Sequence, residues 1–337
     1  MIVDFRVKYE VKFSQYDGIK KLLKSLPDSM NGMKNTAAPE YLFNTKDDSC
    51  LLDNTRKAEY HTITAKTLWF SQRSRPDLQL ATGFHCTRVR EPTEHDWKKL
   101  SHEMQYLRKT RFIPLIIGIG DDGNTVIHID GAHAVHNDCK GHSGLYLTMG
   151  KGAMMNVSKK LGLLTNSSTE SEIVSTGERL PKTTWFRYFR IEQGQPVKED
   201  ILLQDNQSAI RLQKHHPFSV GKGSKHIHIR YFFIKNVLER ENIDLLHCPT
   251  ERMIADFYTK PLMGSLFRKM RDIVMGLAPF PVEERVEERN DTTDNMGQYP
   301  KEEERKKVTY ADIVRRQVNG KQEEKTEQGG MSSRSTH

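Results

Sequence analysis

Two short apolar runs that each end on an aspartate constrain this chain more than any other feature. They are Thr125-Val-Ile-His-Ile-Asp130 and Ile201-Leu-Leu-Gln-Asp205. Apolar runs of this length, bounded by turn residues, read as strands. Further runs of strand length stand at 112–118 and 144–149, with a weaker one at 153–158. Gly-rich polar breaks separate them, as in a meander of hairpins. A long helical pattern over 169–191 follows. Then come the strand 200–205, a short helix near 206–213, a loop with Pro217, Gly221 and Gly223, and a helix over roughly 225–240. A strand over 243–248 and helices over 251–259 and 263–275 complete the series. This order implies an α/β fold, a mixed sheet with helices packed on its faces. In such a sheet, strand ends can converge on one edge.

Upstream, residues 58–110 read as three helices. The first runs through Tyr60, Ile63, Leu68 and Trp69, and the second opens at Pro76, a residue tolerated at a first helical position. In the third, Trp97, Leu100, Met104 and Leu107 share one face, and Thr93 with Asp96 forms a capping box. Past Phe280 the chain turns to charge runs such as Glu283-Glu-Arg-Val-Glu-Glu-Arg289, with few aromatics and no sustained apolar period. That composition predicts a disordered tail. The expected organisation is an irregular segment 1–57, a helical region 58–111, an α/β domain 112–276 and a charged tail 277–337.

The formal net charge is +8, unevenly spread: residues 1–280 carry a net +10 and residues 281–337 a net −2. A basic body suits a polyanionic partner such as nucleic acid. Cys50, Cys86, Cys139 and Cys248 lie far apart without paired spacing, which argues against a disulfide scaffold and fits a reducing compartment. No apolar run approaches the roughly 20 residues that span a bilayer, and the N-terminus lacks a signal-peptide layout. The expectation is an intracellular protein with no membrane partner.

Asp130 and Asp205 gain weight from two further acids. Glu172 falls in Ser167-Ser-Thr-Glu-Ser-Glu172, where the long helix begins, and Asp256 in Met253-Ile-Ala-Asp256-Phe-Tyr-Thr-Lys-Pro261. Clustered carboxylates repel and lose hydration, so a fold keeps them together mainly where divalent cations neutralise them. Four carboxylates holding two Mg2+ ions can hydrolyse phosphodiesters. Each acid also fits a simpler role: Glu172 the third residue of a capping box opened by Thr169, Asp205 a helix N-cap, Asp130 a turn acceptor, Asp256 a partner for Lys260. Their joint occurrence in this order of elements favours the shared site.

Two more patterns call for comment. His133, His136, Cys139 and His142 resemble zinc spacing, but they fall where a hairpin turn is expected and no ligand pair recurs elsewhere. Solvated histidines, or histidines near a phosphate, are the expectation there. Lys222, Lys225, His226, His228, Arg230, Lys235 and Arg240 make the loop and helix at 221–240 basic, with Tyr231, Phe232 and Phe233 interleaved. This reads either as a surface tracking a nucleic-acid backbone or as an amphipathic helix burying its aromatics.

Four segments occur in order: Ser167-Ser-Thr-Glu-Ser-Glu172, Asp205-Asn-Gln-Ser-Ala-Ile210, Lys225-His-Ile-His-Ile-Arg-Tyr231 and Ala255-Asp-Phe-Tyr-Thr-Lys-Pro-Leu262. As a set they closely resemble the ribonuclease H domain of copia-type retrotransposon polyproteins, over about 115–276. Tyr60-His61, Ser74-Arg-Pro-Asp-Leu-Gln79, Pro92 and Tyr106-Leu-Arg-Lys-Thr110 resemble that family's helices joining polymerase to ribonuclease H. The resemblance implies a ribonuclease H-like five-stranded mixed sheet with helices on both faces. It implies catalytic, metal-binding carboxylates at Asp130, Glu172, Asp205 and Asp256, with Glu170 the rival for the second position, and two Mg2+ ions that Mn2+ can replace.

It further implies an RNA–DNA hybrid as substrate, cut in the RNA strand, and nucleic-acid contacts from Lys225, His226, Arg230, Lys235, Asn206 and Gln207. The family usually has aspartate where His228 stands. His247 falls inside a strand and so does not match the mobile histidine of some ribonucleases H. No Tyr-x-Asp-Asp polymerase motif, integrase core or protease signature is present. The expectation is therefore the C-terminal part of such a polyprotein, in a cytoplasmic virus-like particle or the nucleus. A catalytically inactive nucleic-acid-binding remnant of the same fold is the alternative.

Overall fold

The computed structural model describes residues 1–280 apart from 46–47, 121–122, 196, 198–199 and 215–224; the side chains of 225–229 also lie outside the description. The loop at 215–224 and residues 281–337 of the expected tail are thus outside the described residues. The tail's first residues, 277–280, are described, and Phe280 is buried in the core with Ala278 packed against it.

The chain opens with β1 (Ile2–Asp4) and β2 (Glu10–Ser14), then α1 (Tyr16–Lys24). Three helices follow, α2 (Asn54–Ser71), α3 (Gln79–Arg88) and α4 (Glu94–Lys109). They match the three predicted upstream helices. Pro76 opens a 3-10 turn, Pro76–Leu78, directly before α3. The capping box of α4 is present, with Asp96 N–H donating to Thr93 Oγ1 and Thr93 N–H donating to the Asp96 carboxylate. Trp97, Leu100, Met104 and Leu107 are buried on one face. Trp69 departs from expectation: it is 45% exposed, and Phe70 takes the inward position.

Next come β3 (Leu115–Ile119), β4 (Thr125–Ala132), β5 (His142–Thr148), β6 (Gly150–Lys151) and β7 (Met155–Lys160). The long α5 (Ser168–Glu192) leads to β8 (Asp200–Gln204), α6 (Gln207–Lys214), α7 (Lys225–Glu241), β9 (Ile243–His247) and α8 (Gly264–Val274). The five-stranded sheet has the order β7-β5-β4-β8-β9. Its first three strands are antiparallel, and β8 and β9 run parallel to β4. The predicted mixed α/β sheet with helices on both faces is borne out.

Two sequence expectations need correction. The run at 112–118 does not belong to the main meander. Its strand, β3, pairs with β2 and β6 in a separate four-stranded sheet, β1-β2-β3-β6. Apolar periodicity identifies a strand but not its partner, and that partner lies a hundred residues upstream. The segment 251–259 is not an α-helix but two 3-10 helices, Thr250–Arg252 and Ile254–Tyr258. Pro249 and Pro261 bracket it, and the residue before a proline is disfavoured in the α region.

Alternation along the central strands divides the core. Val126 and Tyr146 face a cluster built with α1, α2, α4, the second 3-10 helix and α8. Ile127, Ile129, Leu145 and Leu147 face the other way, onto Ile173 and Leu180 of α5 and Ile234, Val237 and Leu238 of α7. Pro181 lies inside α5 without ending it. An interior proline costs on the order of 3 kcal/mol, and the buried residues before it, Ile173, Val174 and Leu180, with Thr183 and Thr184 after it, offset that cost by packing.

Two glycines set how closely the layers approach near Asp130. A Cβ on Gly131 would lie 2.5 Å from Ser171 O and 2.5 Å from Ser175 Oγ of α5. On β5, a Cβ on Gly144 would lie 2.8 Å from Ala255 O and 2.9 Å from Thr259 Cγ2. Gly144 is the registered partner of Asp130. Gly131→Ala should therefore destabilise the protein by about 1–3 kcal/mol through overpacking in a urea titration. Gly162→Ala, where nothing lies within 4 Å, should leave the midpoint nearly unchanged.

Candidate active site

Strand register brings the first two acids together. β4 and β8 run parallel with His128 opposite Leu203. Two residues further along each strand stand Asp130 and Asp205, at the same end of the sheet. Asp130 is still inside β4, whereas Asp205 is the first residue past β8. The third acid arrives from beyond β9: Asp256 sits on the 3-10 helix that packs against Gly144. Oxygens of Asp130, Asp205 and Asp256 lie within 4.8 Å of one another. Asp130 and Asp256 are buried, and Asp205 is half-buried.

Glu172 comes from the second turn of α5 and is 5% exposed. The charges of Asp130 and Asp205 act on its carboxyl, and its Oε2 accepts from Gln204 Nε2 at 3.3 Å, but it is not one of the three acids whose oxygens lie within 4.8 Å of one another. Glu170 does something else. Ser167 caps α5 by accepting from Glu170 N–H, and Glu170 Oε2 accepts from Asn166 N–H at 2.8 Å. The helix therefore starts two residues before the cap that the sequence suggested at Thr169. The capping carboxylate is Glu170, and Glu172 is left free to face the aspartates.

The cluster is electrostatically costly without cations. Burial, then the charges of Asp130 and Asp205, pushes the Glu172 carboxyl well above the usual carboxylate range. Burial and Asp130 push Asp256 up to about 7, against the pull of Lys260. Asp205 is raised for the same two reasons, with Lys260 and Thr250 opposing. Partial compensation comes from hydrogen bonds and one ion pair. Thr259 Oγ1 donates to Asp130 Oδ2, Thr250 Oγ1 to Asp205 Oδ2 at 3.2 Å, and Lys260 Nζ to Asp256 Oδ1 at 2.8 Å. Burial alone would lower the Lys260 ammonium, but Asp130, Asp256 and Asp205 outweigh it and raise its pKa. The sequence already placed Lys260 one turn from Asp256. Its position beside all three aspartates emerges only in the fold.

The other residues singled out by sequence are dispersed. Asn206 caps α6: its Oδ1 accepts from Ala209 N–H at 3.0 Å, and its Nδ2 donates to Thr169 at 3.4 Å. Gln207 is exposed in the first turn of α6. The side chains of Lys225, His226 and His228 lie outside the described residues. Arg230 is half-buried against α5 near Gly177. Lys235 is ion-paired with Glu239 at 3.6 Å on the outer face of α7. Tyr231 packs on the α5–α7 core, while Phe232 and Phe233 are exposed, so the reading of this helix as one that buries its aromatics holds only for Tyr231.

The histidine segment also departs from expectation. His136 and His142 are buried rather than solvated, with His136 Nε2 and His142 Nδ1 3.0 Å apart and His142 Nε2 2.8 Å from Ser158 Oγ. Their nitrogens face each other and a hydroxyl, and Phe43 packs against both rings. Cys139 is exposed. Among the described residues the only group of three or more potential ligands within reach of one ion is Asp130, Asp205 and Asp256. No described helix is long and apolar enough to cross a membrane.

Comparison with known proteins gives consistent relatives. The chain is 28% identical over 222 residues to the retrovirus-related Pol polyprotein from transposon TNT 1-94 of Nicotiana tabacum, covering 66% of this chain and 16% of that protein. It is 26% identical over 212 residues to the corresponding polyprotein from transposon RE2 of Arabidopsis thaliana, covering 62% of this chain and 14% of that protein. A putative transposon Ty5-1 protein of Saccharomyces cerevisiae is 27% identical over 121 residues, 35% of this chain and 39% of that one. The chain thus spans about a sixth or less of the plant polyproteins it matches. No family profile matches it. Among solved structures, LC11-RNase H1 isolated from compost aligns with a TM-score of 0.32 at 15% identity, over 41% of this chain and 93% of that one. RNase H1 of the archaeon Halobacterium salinarum NRC-1 gives 0.32 at 14% identity, over 41% and 95%.

A prediction follows from the electrostatics of the cluster. The folded Asp256 carboxyl holds its proton up to about 7, against an ordinary value of 3.8. The folded state therefore binds more protons than the unfolded state between those values. In EDTA, stability measured by urea titration should fall as the pH rises from about 4 to about 7. Glu172→Gln, which removes one buried charge and keeps a hydrogen-bond acceptor for Gln204, should flatten that fall and raise the midpoint at pH 8.

Proposed function

We propose that this chain, a relative of the Pol polyproteins of copia-type plant retrotransposons, hydrolyses the RNA strand of RNA–DNA hybrids with divalent metal ions. The observation that supports this reading best is the convergence of Asp130, Asp205 and Asp256 oxygens within 4.8 Å, with the buried Glu172 carboxyl near enough to feel the charges of Asp130 and Asp205. The order of these acids along the chain is the one the ribonuclease H resemblance implies. The donor set fits Mg2+: it consists of hard carboxylate oxygens, without sulfur or imidazole. Burial, then the neighbouring carboxylates, raises the proton affinity of Glu172, Asp205 and Asp256, as in a site short of positive charge. Asp130, Glu172, Asp205 and Asp256 would hold two ions, Mg2+ or Mn2+. When bound, these supply an activated water and stabilise the departing 3′ oxygen of a phosphodiester.

The protein's own contributions follow from the contacts. Thr259 fixes the rotamer of Asp130, Gln204 that of Glu172 and Thr250 that of Asp205. Lys260 lends a permanent positive charge at the mouth of the cluster, which lowers the repulsion met by an approaching phosphate. Gln207, and Asn206 beside it, stand at the start of α6 next to Asp205, within reach of a strand laid over the site. Lys225, His226, Arg230 and Lys235 on α7 would contact phosphates without reading bases, since hybrid substrates vary in sequence.

Asp130→Asn and Asp205→Asn should each abolish Mg2+-dependent cleavage of a labelled hybrid while binding survives or tightens. Glu172→Gln should do the same, and Glu170→Gln should retain cleavage with a modest loss of helix stability. Wild-type cleavage by either aspartate variant would place the hydrolytic site elsewhere. A wild-type chain that binds hybrid and never cuts it would be the inactive remnant.

A further inference from the structure

Away from the carboxylates, a groove runs between the edge strand β7, the helices α2 and α3, and the outer side of α5. It comprises two adjoining cavities of about 700 Å3 and 380 Å3, which share Met155, Asn156, Val157 and Lys182. Lys159, Lys160 and Lys182 line the larger, and Pro181 and Trp185 close the smaller. Lys160 has a partner, Asp138, at 2.8 Å. Lys159 and Lys182 have none: among the described residues no carboxylate lies within ion-pair distance of either. Lys182 is instead surrounded by positive charge. Burial first, then Arg179 and Lys159, lowers its ammonium pKa. Arg179 is itself buried, held by Ser143 Oγ at 2.9 Å and by Glu178 at 3.4 Å. Of the cations at the groove, Lys159 and Lys182 thus stand near each other with no carboxylate of their own among the described residues, and a bound anion would relieve their repulsion.

One helical turn past Lys182, Trp185 is 59% exposed and stacks on Phe189, itself 47% exposed, with centroids 5.6 Å apart and planes 17° from parallel. Residues three apart share a helix face, so the cations and the aromatic pair lie along one track. Protein–protein interface cores are depleted of lysine. A duplex keeps its bases stacked on one another. Paired cations beside an open aromatic stack fit an unpaired strand, whose phosphates meet the lysines and whose bases stack on the rings.

We propose that this groove binds single-stranded nucleic acid, with Lys159 and Lys182 on the backbone and Trp185 and Phe189 under the bases. Cutting the RNA of a hybrid leaves an unpaired DNA strand, so the site would receive a product of the proposed reaction. That link rests on the hydrolytic reading above. The binding itself does not.

The test is fluorescence anisotropy of a labelled dT12 with the full chain in EDTA over a range of salt, with hybrid cleavage in Mg2+ measured in parallel. Lys159→Ala with Lys182→Ala should flatten the slope of log affinity against log salt by about 1.4, at roughly 0.7 per lost contact on a single strand. Trp185→Ala with Phe189→Ala should weaken dT12 roughly tenfold or more and leave the slope unchanged. All four side chains reach the surface, circular dichroism checks the fold, and hybrid cleavage should stay at the wild-type rate. The proposal is overturned if the wild type does not bind dT12, or if both double variants bind it as the wild type does. It is equally overturned if the aromatic variant converts a dimer to a monomer in sedimentation with dT12 affinity intact, since the groove would then belong to a second copy. Absence of hybrid cleavage with the dT12 results as expected would sink the hydrolytic reading and leave this one standing.

Discussion

Everything near Asp130 depends on backbone approaching backbone more closely than any side chain allows. Gly131 faces α5 and Gly144 faces the 3-10 helix that carries Asp256, and at both a Cβ would fall under 3.0 Å from the opposing chain. These two residues flank Asp130, one along its own strand and one across the register. The consequence is geometric. α5 sits low enough on one face of the sheet for Glu172 to reach Asp130, and the 3-10 helix sits low enough on the other for Asp256 and Thr259 to do the same. Carboxylate side chains are short, so any lift of either layer by the thickness of a methyl group would separate them.

The contrast with another buried polar cluster shows what is unusual here. Arg75 is 1% exposed, and its guanidinium donates to both oxygens of Asp77 at 2.8 and 2.7 Å and to Thr110. Tyr106 donates to the same aspartate at 2.6 Å. One cation faces one anion, and each carboxylate oxygen has at least one donor, as a buried ion pair requires. Around Asp130 four acids share a single lysine, two threonines and an amide. The first cluster is complete in itself and ties α4 to the turn before α3. The second holds more negative charge than its own partners balance.

Legibility varied with the range of the forces involved. The capping box at Thr93 and Asp96, the buried stripe of α4 and the place of Asp205 just past its strand could be read directly, because they arise from contacts a few residues apart. Asp130, expected to end its strand, instead stands two residues inside β4. The identity of the second acid could be read only in part. Glu170 and Glu172 lie two apart in a serine-rich turn, and which one caps depends on whether the helix starts at Ser167 or at Thr169. The partner of β3, the 3-10 geometry around Asp256 and the mutual burial of His136 and His142 depend on distant segments. No local pattern announced them.

By itself, the sequence determined which elements exist and which residue types stand at their ends. Apolar periodicity and turn chemistry are local and sufficient for that. The mixed α/β class, the kinship with copia-type polyproteins and the set of four acids were all present at that level. Tertiary structure alone decided that three aspartates from three elements lie within 4.8 Å. It also put Lys260 beside all of them and brought Lys159 and Lys182 to one groove with no ion-paired acid among the described residues. Strand register and close approach at glycine set those distances, and both result from packing across more than a hundred residues of chain. Charge becomes chemically informative only once such packing has fixed how far apart the groups stand and how much water remains between them.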